Sequence, residues 1–209
     1  PVVALAGGTT SLLVFFAVTL GLVTGVAFSS DPIGTEYRVL PMLFTSVTGR
    51  QFVGGSLLAA TVVGIPLIAL IIVPLGIVGP VGFGQTFLIA LLGSAVCTCT
   101  AAVATMVGLG VERFNYALVP FFFTDVPIYA EVGAAAFLRH GLVLAIGVFA
   151  SIPAFVGTTP PVYEAITPHW VPTVVIQISA LLLTLLLAAI ITRTAFRVAV
   201  QRFRDYQLG

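Results

Sequence analysis

Residues 51–111, QFVGGSLLAATVVGIPLIALIIVPLGIVGPVGFGQTFLIALLGSAVCTCTAAVATMVGLGV, contain no charged side chain. A helix needs about 20 mostly apolar residues to cross the ~30 Å hydrocarbon core of a bilayer, so this run is long enough for two crossings. The break between them falls at 76–84, GIVGPVGFG, where glycines and Pro80 supply turn chemistry. Spans are therefore predicted at about 54–76 and 85–108. Pro66 and Pro74 lie inside the first and are expected to bend it, because each removes a helix hydrogen bond.

The rest of the chain agrees with that solvent. Of 209 residues, 59% are hydrophobic and 7% charged, against roughly 25% charged in ordinary soluble domains. With a mean hydropathy of +1.20, no soluble core can absorb the apolar surface and still present a polar exterior. The fold class is all-α, a polytopic transmembrane helix bundle. All eight basic residues are Arg and the net charge is +1, which gives no sign of a nucleic-acid partner, since that needs a clustered basic face; no nucleic acid is expected. Cys97 and Cys99 sit within an apolar run and report no disulfide framework.

Outward from the central run, residues 10–28, TSLLVFFAVTLGLVTGVAF, form a further span. Its Gly21-x-x-x-Gly25 spacing puts two side-chain-free positions on one face, where a second helix can approach, although glycines are frequent throughout this chain. Residues 111–132, VERFNYALVPFFFTDVPIYAEV, have an apolar centre too short to span. Their Phe and Tyr rings suit the headgroup zone, and an interfacial elbow is expected. A fourth span is predicted at 135–157. Residues 158–172, TTPPVYEAITPHWVP, then read as a Pro-rich loop with Trp170 as interface anchor. A fifth span follows at 173–193. Beyond it, Arg193, Arg197, Arg202 and Arg204 alternate with Phe196, Val200 and Phe203, so 194–209 reads as a basic amphipathic tail lying on the membrane surface.

Between the first two spans lies the main polar interruption, 31–53, DPIGTEYRVLPMLFTSVTGRQFV. It holds four of the fifteen charged residues and is longer than a connector requires. If it faces the cytosol, alternation of five spans brings 111–132 and the tail to the same side. All eight Arg then lie at or near the cytosolic face, and the opposite loops, 77–84 and 158–172, hold none, as the positive-inside rule requires. The expected location is the plasma membrane, multi-pass, with the C-terminus cytosolic. The chain opens at Pro1 with no basic segment before its first apolar run, and reads as a fragment or processed product.

The residues of this interruption carry a resemblance. Gly34-Thr35, Leu40, Leu43 to Arg50, Gly54-Gly55 and Leu57-Leu58 resemble the signature of permease subunits of ABC transporters of the type-2, export-like class. Two departures stand: the turn proline before Val47 is absent, and Asp31 rather than an adjacent Glu precedes Gly34-Thr35. The resemblance implies a six-span permease with both termini inside, of which 1–209 would supply the last five spans as a single permease-like domain. It also implies that 31–53 contains a coupling helix fitting an ATP-binding cassette subunit. Candidate coupling residues are then Asp31, Gly34, Thr35, Glu36, Arg38, Thr45, Ser46 and Arg50; the plainer alternative is a solvated loop whose charges only set topology. A chain without Lys has no GxxxxGK[ST] phosphate loop, so it cannot be the ATPase; no cofactor is expected in this chain, and ATP and Mg would be bound by the partner. A second permease copy or homologue and the lipid bilayer complete the implied partners.

Few other residues suggest chemistry. Arg139 and His140 are the one ionisable pair within a span. They form either a polar intramembrane site or, the favoured account, a pair whose arginine snorkels to the headgroups. Cys97-Thr98-Cys99-Thr100, with Ser94 and Thr105, makes a small, weakly polar helix surface suited to packing. It does not suit metal ligation, since cysteines two apart point to different faces and no third ligand is near. Glu164 and His169 complete no catalytic set. The expectation is a non-enzymatic membrane subunit of an ATP-driven exporter, with a non-transporting scaffold or accessory subunit as the alternative. A membrane-embedded enzyme lacks converging polar residues, and a secondary transporter lacks intramembrane acids or an inverted repeat.

Overall fold

The computed structural model of the protein describes residues 8–29, 46–111, 116–120, 127–131, 133–166 and 171–208. Its elements are α1 (Thr9–Ala27), α2 (Gly49–Val78), α3 (Phe83–Gly108), β1 (Tyr116–Pro120), β2 (Pro127–Glu131), α4 (Ala134–Thr158), the short α5 (Pro160–Ile166) and α6 (Thr173–Leu208). Five of these helices, α1, α2, α3, α4 and α6, are long and apolar enough to cross a membrane. The protein is a multi-pass helical membrane protein. α2 stays one continuous helix through Pro66 and Pro74.

The helices run up and down, and contacts at the two ends fix the arrangement. At one end, Ser11 Oγ of α1 is 3.4 Å from Thr159 Oγ1 just past α4, and Gln85 Nε2 of α3 donates to Gln177 Oε1 of α6 at 2.7 Å. At the other, Phe52 of α2 stacks on Phe203 of α6 with ring centroids 4.6 Å apart. There Arg202 Nη1 also donates to the Met106 carbonyl in the last turn of α3, at 2.7 Å.

α3 lies at the centre and packs against each of the other four spans. Lipid tails are as apolar as Leu, so association within the bilayer depends on close packing and on hydrogen bonds between helices. Both are found at the crossing of α1 and α3. A Cβ on Gly21 would sit 2.5 Å from the Gly93 carbonyl, and one on Gly25 would sit 2.5 Å from the Cys97 carbonyl and strike Thr100. The Thr100 hydroxyl is shared between the Val96 carbonyl of its own helix (2.8 Å) and the Gly21 carbonyl across the interface (3.2 Å). α2 joins at the same level: Gly64 lies against the Cys97 thiol and Thr24. Ser56 and Thr105 hydroxyls meet at 3.2 Å. The glycine pair and the Cys-Thr surface are thus two sides of one seam.

A proline is accommodated in a related way. Pro153 lies inside α4, where it opens the backbone ladder. One residue on, the Ala154 N–H donates to Thr184 Oγ1 of α6 at 3.0 Å, a bond between helices made by the neighbouring backbone.

Three segments differ from the sequence expectation. Within 111–132, where an interfacial elbow is expected, β1 and β2 form an antiparallel hairpin pairing Tyr116 with Glu131 and Pro120 with Pro127. Its β-branched and aromatic residues, Val119, Ile128, Tyr116 and Tyr129, favour extended backbone. The Pro-rich segment contains α5, because Pro160 and Pro161 occupy a first turn, where the missing N–H costs nothing. Trp170 and His169 lie outside the described residues. Lastly, residues 194–208 do not form a separate tail. α6 continues unbroken for 36 residues, about 54 Å at 1.5 Å per residue, well beyond the hydrocarbon core. The apolar side of this extension, Ala195, Ala199, Val200 and Phe203, is buried against Phe52 and Val53 of α2 and Met106 of α3 and Leu109 beyond it, so protein rather than lipid covers it.

Candidate functional site

α2 begins abruptly. Thr48 caps it by accepting from the Gln51 N–H at 3.4 Å, while Gln51 Oε1 accepts from the Thr48 N–H at 2.9 Å. This reciprocal capping box satisfies two donors that a helix start leaves open. The first turn is then clamped from the side. Gly49 abuts Phe203 and the Val200 carbonyl, and the Phe52–Phe203 stack follows one turn later. Arg202 ties the same extension to α3 by satisfying the Met106 carbonyl, and a cation beside a helix C-terminus is also favoured by the helix dipole. The starts and ends of three helices are therefore joined in one cluster directly after the 31–48 segment.

This end is also the charged end. The Arg side chains described are Arg50 at the start of α2, Arg139 at the start of α4, and Arg193, Arg197, Arg202 and Arg204 in the last part of α6. Apart from the half-buried Arg139, all are exposed. The opposite end carries Glu164 on α5 and no arginine among the described residues.

Of the predicted coupling residues, Asp31, Gly34, Thr35, Glu36, Arg38 and Thr45 lie outside the described residues. Ser46 and Arg50 are described, and both are exposed immediately before and within the start of α2. Arg139 and His140 come together with the ends of α1 and α3. With Val26, Ala104, Val107, Gly108 and Val143 they line a small cavity of ≈ 10 Å³, room for about one water molecule. His140 Nδ1 lies 2.7 Å from the Ala136 carbonyl. A carbonyl only accepts, so Nδ1 is the donor in this contact.

Sequence reasoning missed Phe52, Arg202 and Phe203 as a unit. The signal was present in the spacing of Ala195, Ala199, Val200 and Phe203, but periodicity gives an apolar face without saying whether lipid or protein covers it. Compared with protein families, with curated proteins and with solved structures, the chain matches none.

Proposed function

We propose that this protein is the membrane-spanning permease subunit of an ATP-driven ABC exporter, acting as a pair of permeases with two ATP-binding subunits. Its arginine-rich end would face the cytosol of a plasma-membrane protein, as the positive-inside rule favours. The observation that supports this most is the clamp behind the polar 31–48 segment. A capped, rigid helix start is joined through Phe52–Phe203 to α6 and through Arg202–Met106 to α3. A push on that segment by a closing soluble subunit would reach three spans at once. Chemistry stays on the partner; this chain converts its closure into helix movement.

The test is affinity purification of the full-length protein in mild detergent. The expected result is an ATPase subunit in equal amount, lost when residues 34–50 are scrambled while membrane insertion persists. If no ATPase copurifies at any detergent strength, the scaffold or accessory-subunit reading replaces this one.

A further inference from the structure

Between α3 and α6, a groove of ≈ 430 Å³ opens on the bundle's outer surface. It is floored by the small side chains of Ala95, Ala188 and Ala189, with Leu185 at one limit and Arg193 and Phe196 toward the other. Position along α6 sets its depth. Leu185 lies about 18 Å from the helix start at Thr173 and Arg193 about 30 Å, which is the thickness of the hydrocarbon core. Counted from Thr173 as the opposite boundary, the groove runs from near the bilayer midplane toward the headgroup zone on the arginine-rich side, and its one charged residue lies at that outer part.

Its walls are apolar in practice. The two hydroxyls that line it, Thr98 and Thr192, donate to carbonyls of their own helices, Ser94 at 2.8 Å and Ala188 at 2.7 Å. A hydrocarbon is thus a better occupant than a polar solute. At the mouth, Arg193 and Arg197 are both exposed. Spaced i,i+4, they share one face of α6. The acid described on α6, Asp205, lies twelve residues from Arg193, about 18 Å along the axis and too distant to neutralise it.

We infer that this groove binds one anionic phospholipid, its acyl chain along Ala95, Ala188 and Ala189 and its phosphate on Arg193 with support from Arg197. The site is independent of any ATP-driven function.

Native mass spectrometry of the full-length protein, released from detergent with added dioleoylphosphatidylglycerol or dioleoylphosphatidylcholine, tests it. The wild type is expected to retain one phosphatidylglycerol per chain in preference to phosphatidylcholine. Arg193→Gln should weaken phosphatidylglycerol retention about fivefold and leave phosphatidylcholine unchanged, the effect of one interfacial cation. Ala189→Leu, at an exposed position that tolerates a larger side chain, should fill the groove and abolish retention of both lipids. Arg204→Gln should match the wild type. Equal retention of the two lipids by the wild type, or wild-type retention by both Arg193→Gln and Ala189→Leu, overturns the inference. So does disulfide cross-linking of Ala189→Cys between two copies in native membranes, which would place protein where the lipid is assigned.

Discussion

α2 and α3 are adjacent and, beyond Arg50 in the first turn of α2, uncharged, yet they occupy opposite environments. In their most apolar windows, 22% of α2 residues and 61% of α3 residues are buried. α2 buries a narrow strip, Gly49, Val53, Ala60, Gly64, Ile68, Ile72 and Gly76, mostly at every fourth residue, and turns large side chains such as Leu58, Leu70 and Ile77 outward. α3 buries a run from Cys99 to Thr105 on all sides. The difference is one of size and hydroxyl content. Glycine, alanine, cysteine and threonine let four neighbours approach α3 closely, whereas the branched side chains of α2 suit lipid. Hydropathy separates membrane from water; residue volume separates the inside of the bundle from its outside.

The strongest challenge to that comparison is to enlarge glycines on the two sides of it. Gly21→Leu with Gly25→Leu should force α1 off α3, because each new side chain meets a backbone carbonyl, of Gly93 or Cys97, and the second meets the Thr100 side chain as well. Two over-packing penalties near the top of the usual range give a loss of about 4 kcal/mol or more. The matched pair Gly54→Leu with Gly55→Leu, on α2, meets open space and should change stability by about 0.5 kcal/mol or less. Thermal unfolding in detergent, with the monodisperse fraction on gel filtration, distinguishes the two pairs. If both tolerate leucine equally, close approach is not what holds α3 at the centre.

How much of this was legible in the sequence follows from the same physics. The five spans were, because their length and lack of charge answer directly to bilayer thickness. The start and end of α1, α3 and α4 fall within a residue or two of the predicted limits. The extension of α6 was legible as amphipathic but not as docked, since lipid and a neighbouring helix present the same apolar surface to Phe203. The β1–β2 hairpin was hidden because a short apolar run with prolines and aromatics suits an interfacial elbow as well as a strand. For the candidate site, Thr48 and Gln51 form a capping box whose S/T-x-x-E/Q pattern stood in plain view. The clamp around it depends on residues about 150 positions away in the chain, Val200 and Phe203, and no local pattern joins them to Phe52.

That clamp sharpens the comparison at its next level. α3 is held along its length, whereas α2 has only its narrow strip and the clamp on its first turn. Phe203→Ala should therefore release the start of α2 selectively. Phe203 is 1% exposed, and removing a fully buried Phe side chain costs about 3 kcal/mol at the low end of the usual range. Amide hydrogen exchange should accelerate at 49–53 and in the α6 extension while 96–105 stays protected. Equal acceleration in α3 would mean that the clamp holds the whole bundle and that α2 has no separate weakness.

The smallest effect expected is the one that defines the outer face. Leu70 is 72% exposed on α2, so truncating it to alanine exchanges one lipid contact for another in both the assembled and the separated helix. Leu70→Ala should change stability by about 0.5 kcal/mol or less. Leu92 of α3 is fully buried, and the same truncation there leaves a cavity and costs about 2 kcal/mol or more. Measured in one detergent by thermal unfolding, the two leucines differ in environment but not in chemistry. A loss above about 1 kcal/mol for Leu70→Ala cannot come from within a bundle that leaves the residue uncovered. It would show instead that further protein lies along α2, and the outer face defined by side-chain size would become a protein interface.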